Sequence, residues 1–161
     1  MANRFSKAVR KIHMFPKSMH GFLLTKLFCT TVKYANTSNI KLLEVSNRKV
    51  KLALANKKKV QNHIGGIHAI AASLLAESAT GIVFGMNVPD THVPLLKSMT
   101  VNFQKRMKGD LVAEASLSDD QIHMIETHDK GDMLVPVTIT DESGQEPVEI
   151  LMTWAWVNKQ R

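Results

Sequence analysis

The chain predicts an α+β fold in which a curved antiparallel sheet wraps around a central helix, with a helical extension ahead of it. Three observations carry that reading: an Ala-rich, helix-forming segment over residues 67–80, period-two apolar stripes before and after it, and helical apolar spacing over residues 1–35. At 161 residues the expectation is one domain, spanning 1–161 and able to bury a core without disulfide or metal staples.

Taken in order, Ser6 is placed to cap a first helix carrying Val9, Ile12 and His13, which Pro16 ends. Ser18 precedes a second helix with Phe22, Leu23, Leu27 and Phe28. Residues 40–45 form a short apolar run, and Val50, Leu52 and Leu54 alternate with Lys49, Lys51 and Ala53, giving one buried and one solvated strand face. A polar, basic turn follows over 56–59. The segment IHAIAASLLAESAT is built from strong helix formers, and Gly81 is its expected stop. Its small side chains let a sheet pass close.

Beyond it, strands are expected over 82–88, along Met99, Val101 and Phe103, and along Leu111, Ala113, Ala115 and Leu117. Met133, Val135, Val137 and Ile139 make another stripe, in which Pro136 demands an edge or a bulge. Gly144 supplies a turn, and Val148, Ile150, Met152, Trp154 and Trp156 form the last and longest stripe.

Composition narrows the classes. The lone Cys29 forms no internal disulfide, is a small apolar core candidate, and fits a reducing cytoplasm. No apolar run reaches the roughly 20 residues of a membrane span. Residues 1–60 hold 14 Lys and Arg against the single acid Glu44, a balance of +13, while the rest of the chain carries −6, giving the net +7. Such asymmetry suits an anionic partner: coenzyme A phosphates, an acidic carrier protein, anionic lipid or nucleic acid. A solvated, solubilising face is the plainer alternative. The histidine pairs His63/His68 and His123/His128 are five apart and share no helical face, so no metal site is expected.

The stretch NHIGGIHAIAASLLAE over 62–77 carries the chemistry. Asn62, Gly65, His68 and Glu77 resemble, at matching spacing, the motif of PaaI-like hot-dog thioesterases, and the wording is closest to the less characterised branch of that superfamily. Strand order extends the resemblance over about residues 40–158. Two departures stand out: Ala69-Ile70 follow the histidine where many relatives have Gly-Gly, and Glu77 stands where many have Asp. The resemblance implies a homodimer, or a tetramer of two such dimers, that hydrolyses an acyl-CoA or acyl-carrier thioester with no cofactor beyond the coenzyme A of its substrate. It also implies a Ser or Thr from a later strand, and residues 95–100 offer Lys97, Ser98 and Thr100.

The chemistry is arguable from the residues alone. Thioester hydrolysis needs donors for the developing oxyanion, and a helix N-terminus supplies unpaired N–H groups and a positive dipole end. The backbone N–H of Ala69 or His68 is the candidate donor. Glu77 is the candidate general base or nucleophile, and the Asn62 amide a candidate for orienting water or the carbonyl. Lys105, Arg106 and Lys108, before Gly109-Asp110, are candidates for the coenzyme A phosphates. Ala69 and Glu77 are eight residues apart, about 12 Å of helical rise, so one carbonyl meets both only if they come from different chains. Met86, Met99, Met107, Met124, Phe84 and Phe103 read either as an acyl tunnel or as core. Competing functions are a non-catalytic acyl binder on the same fold, a dehydratase using His68 and Glu77, and nucleic-acid binding by the basic third.

Overall fold

The structure is a computed structural model that describes residues 3–159. Three helices come first: α1 (Arg4–Ile12), α2 (Lys17–Thr31) and α3 (Lys33–Ser38). The cap of α1 is Asn3 rather than Ser6: the Asn3 Oδ1 accepts the Ser6 N–H at 2.8 Å, and its Nδ2 reaches the Gly85 and Val88 carbonyls at 2.7 and 2.6 Å. Asparagine wins because one side chain both caps the helix and ties it to the core. Pro16 caps the start of α2.

Strands β1 (Lys41–Val45) and β2 (Lys49–Leu54) follow, then a short 3₁₀ turn at Lys58–Val60 and the central helix α4 (Ala69–Gly85). The expected stop at Gly81 and strand over 82–88 are both overturned, since α4 runs through Gly81 for another turn. Gly81 is there for closeness: a Cβ on it would lie 2.8 Å from the Trp154 ring. Ile82, Val83 and Phe84 are core residues of the helix, and Phe84 packs against Trp154 and Trp156 with ring centroids 5.9 and 6.1 Å apart. The Trp154 Nε1–H donates to the Thr80 hydroxyl at 2.9 Å.

The rest of the chain runs β3 (His92–Phe103), β4 (Leu111–Ser116), α5 (Asp119–Thr127), β5 (Gly131–Val135), β6 (Val137–Asp141) and β7 (Val148–Asn158). Helix α5 was not expected from periodicity, yet Ser118 and Gln121 form a reciprocal capping box at its start. Hydrogen bonding divides the sheet into two antiparallel ladders, β1-β2-β4-β6 and β3-β7-β5, where one continuous sheet is predicted. The break falls at Pro136, which has no N–H to donate: Val135 pairs with Met152 in one ladder and Val137 with Ala115 in the other. Both ladders close on α4, whose Ala72, Leu75, Ala76 and Ala79 are fully buried. Among the described residues, no helix is long and apolar enough to cross a membrane.

The two outer strands differ. Helix α2 packs on β1, burying Leu24, and its Thr25 hydroxyl accepts the Leu42 N–H at 2.9 Å. Strand β3 has only β7 beside it, and over its length Leu95, Leu96, Met99 and Phe103 are exposed.

Candidate active site

The front of α4 is shaped by the loop before it. Asn62 Oδ1 accepts the N–H groups of Ile64 and Gly66, each at 3.1 Å, and the Asn62 N–H donates to the Gly66 carbonyl at 2.8 Å. Gly65 sits in this turn at φ +76°, a left-handed conformation that favours glycine. The oxygen of the Asn62 amide is therefore committed to the loop, and only its Nδ2 is left for a ligand. Asn56, which sequence reading passed over, braces the same loop. Its Nδ2 donates to the Gly65 carbonyl at 3.1 Å, and its own N–H is held by Asp110 Oδ1 at 2.7 Å.

His68 is the N-cap of α4, with Nδ1 accepting the Ile70 N–H at 3.1 Å. An accepting Nδ1 means a neutral ring carrying its proton on Nε2. The His68 backbone N–H donates to the Val60 carbonyl at 2.7 Å, which removes it as an oxyanion donor. Of the first amides of α4, Ala69 alone lacks a partner among the described residues: Ile70 is capped, and Ala71 and Ala72 bond the His68 carbonyl.

Ala69 lines a cavity of about 310 Å³ together with Asn62, Gly66, Lys105, Arg106 and Met107. Here the structure joins residues that sequence reading named separately. Arg106 Nη2 donates to the Ile64 carbonyl at 3.2 Å, which pins its guanidinium beside the loop, and Lys105 Nζ reaches Gln145 Oε1 at 3.0 Å. The cavity is mostly apolar, with Ile64, Ile67 and Phe103 in its lining beside Lys105 and Arg106. A larger cavity of about 560 Å³ lies between β5, β6 and β7, but it holds Glu146 and Glu149 and no residue of α4. Its polar lining, Gln104, Thr138, Glu146 and Glu149, includes none of the residues of the 62–77 motif, so the smaller one is the candidate site.

Four predicted residues lie elsewhere. The His68 ring faces a second cavity of about 320 Å³ shared with Tyr34, Gln61 and Ile70. Lys108 is used through its backbone, donating to Asp141 Oδ2 at 3.0 Å. Ser98 is exposed on β3, after a register shift between Leu96 and Ser98, opposite Thr153. Glu77 lies on α4 outside the Ala69 cavity, half-buried, with the Ser78 hydroxyl at 3.4 Å. Burial pushes its carboxyl above the usual range, against a smaller opposing pull from Ser78. Of the apolar tunnel candidates, Phe103 and Met107 line the cavity, Phe84 and Met86 are core, and Met99 and Met124 are exposed.

A central helix wrapped by antiparallel strands is the hot-dog fold. The chain belongs to a family described as a domain of unknown function, DUF4442, whose model matches residues 22–157. Among solved structures it is similar to a Pseudomonas aeruginosa protein of unknown function described as a probable thioesterase, with TM-score 0.76, 24% identity and coverage of 90% of this chain and 97% of that one. It is also similar to a Haemophilus influenzae thioesterase, with TM-score 0.64 and 12% identity over 78% of this chain and 82% of that one. A mutant thioesterase from Pseudomonas aeruginosa matches with TM-score 0.68 and 13% identity over 83% and 94%. At these identities the likeness is one of fold. No curated protein matches the sequence.

Proposed function

We propose that the protein is a homodimeric acyl-thioester hydrolase acting on an acyl-CoA or acyl-carrier thioester. One observation carries the reading. Ala69, whose amide is unpartnered among the described residues at the front of a 17-residue helix, lines a cavity together with Lys105 and Arg106, while Glu77, a carboxyl primed by burial, sits further along the same helix and outside that cavity. In this reading each site takes the amide from one protomer and Glu77 from its partner. The bare β3 edge supports such pairing, because a 12-residue edge strand with apolar side chains on both faces is a surface that chains cover.

The proposed reaction is simple in outline. The thioester carbonyl rests against the Ala69 N–H, with the Asn62 Nδ2 as a second donor, and Lys105 and Arg106 face the phosphates of coenzyme A. Glu77 takes a proton from water as the hydroxyl attacks the carbonyl carbon, and the tetrahedral oxyanion is held by the amide. The C–S bond then breaks, and the thiolate leaves with the proton from Glu77. A raised pKa suits a group that must first accept and then return a proton near neutral pH. A direct attack by Glu77 would pass through an anhydride, and label entering Glu77 from heavy-oxygen water in a single turnover, through water attack on the Glu77 carbonyl carbon, would reveal that route.

The test is turnover of a panel of acyl-CoA thioesters of different chain length by the wild type and by Glu77→Gln, alongside the solution mass. Turnover by the wild-type dimer that collapses in the variant is the expected result. Ligand binding that persists in both with hydrolysis in neither would instead make the protein a non-catalytic acyl binder, and a monomer that turns over at full rate would sink the shared site.

A further inference from the structure

The elbow between α1 and α2 is not used by the proposed reaction. Met14, Phe15, Met19 and Phe22 project there with relative exposures of 85%, 52%, 42% and 68%. The opposite side of α2 is spent on β1, so close that a Cβ on Gly21 would lie 3.2 Å from the Leu42 carbonyl. Met19, Phe22 and Lys26, spaced three and four apart, share the outward face. The elbow is held in place. The Phe15 N–H donates to the Ile12 carbonyl at 3.1 Å, the Met19 N–H to Pro16 at 2.9 Å, and the His20 ring bonds the Phe15 carbonyl at 2.8 Å while lying 5.0 Å from the His13 ring. Four large apolar side chains fixed outward in water mark an interaction surface rather than a scatter of exposed residues.

The surroundings choose the partner. Arg10, Lys11, Lys17 and Lys26 are all exposed about the elbow, and the first 60 residues contain one acid, Glu44. We propose that this elbow docks on the surface of an anionic lipid bilayer, its apolar tip entering the boundary between headgroups and acyl chains while the cations pair with anionic headgroups. A second copy of this chain fits poorly, since it would set one +13 half against another. Nucleic acid would meet the charge but leave Met14 and Met19 facing water or phosphate. Helix α2 carries the patch on its outer face and packs its other side on β1, the opposite outer strand from β3, so pairing through β3 leaves the patch free. The proposal does not depend on the thioesterase reading.

The experiment is co-sedimentation of the full chain with phosphatidylcholine vesicles, with and without phosphatidylglycerol. The protein is expected to pellet with the anionic vesicles, to be released by high salt, and to stay in solution with phosphatidylcholine alone. Phe22→Ser should weaken partitioning about tenfold, and Lys11→Gln with Lys17→Gln about thirtyfold. These side chains are exposed, so both variants should keep the wild-type circular dichroism spectrum. Equal pelleting with both vesicle types, none with either, or full binding by Phe22→Ser would overturn the proposal. So would a concentration-dependent rise in mass that Phe22→Ser abolishes, which would give the patch to a second copy, or retention on DNA in place of vesicles.

Discussion

At its front end, α4 is open: the Ala69 N–H has no acceptor among the described residues, the His68 cap is exposed, and the helix dipole is at its positive pole. Eight residues on, the surroundings reverse. Glu77 is half-buried, with one weak hydroxyl donor from Ser78 and a carboxyl reluctant to ionise. The first place offers a fixed positive field and no base; the second offers a base and no field. Separated by about 12 Å of rise, the two are the halves that the proposed shared site would draw from different protomers, and the experiments that follow attack one half at a time.

The largest effect is expected at the base. Glu77→Gln keeps the shape and removes the proton acceptor, so kcat should fall about 10²–10⁴-fold with little change in KM. Steady-state thioester hydrolysis at pH 7 reads it, and a loss confined to KM would show that Glu77 only helps to hold the substrate.

The next tests the front end without touching a side chain that binds anything. Ala69 is the first residue of α4, where proline is welcome because its missing N–H has no helical partner. His68, at φ −66° and ψ 141°, already has the backbone a residue before proline adopts. Ala69→Pro should therefore fold and melt like the wild type, yet lose about 10²–10³-fold in kcat through the absent oxyanion donor. An active Ala69→Pro enzyme breaks the comparison. Mixing it with Glu77→Gln sharpens it: random re-pairing of two dead homodimers gives mixed dimers with one intact site, restoring about a quarter of the wild-type rate. If both halves served within one chain, mixing would restore nothing.

How far the sequence carried this picture can be judged at the same helix. The Ala-rich composition located α4, and the motif spacing put Asn62, Gly65 and His68 in the loop that enters it and Glu77 on the helix itself. Its C-terminal end was misread because Ile82, Val83 and Phe84 are β-branched and aromatic, and a local reading cannot know that Gly81 is there to admit Trp154. The division of labour between the His68 and Ala69 amides was equally hidden, since it depends on the Val60 carbonyl arriving from the 3₁₀ turn. Arg106 and Lys105 were legible as a basic hairpin but not as neighbours of Asn62, a contact across some 40 residues of chain. Helix α5 was present in the letters: Ser118 to Gln121 is a capping box, and the apolar period after it was too short to catch.

The smallest expected effect concerns stability, and its sign separates a functional carboxyl from a structural one. A surface glutamate in an ion pair has its folded-state pKa lowered, as for Glu114 between Lys49 and Lys51, and contributes stability that is lost in acid. Glu77 has its folded-state pKa raised by burial. Below the unfolded value of about 4.3 both states hold the proton and Glu77 costs nothing. As pH rises through that value the unfolded chain releases its proton first, and stability declines until the folded-state pKa is passed. Glu77→Gln stays neutral throughout, so its melting temperature should match the wild type near pH 4 and exceed it at pH 8. Thermal melts across that range, on the same variant whose turnover has collapsed, should show a protein made firmer by losing its activity. A variant that instead melts lower at pH 8 would mean that the ionised Glu77 is held by favourable contacts in the assembled protein, and the primed base would have to be abandoned.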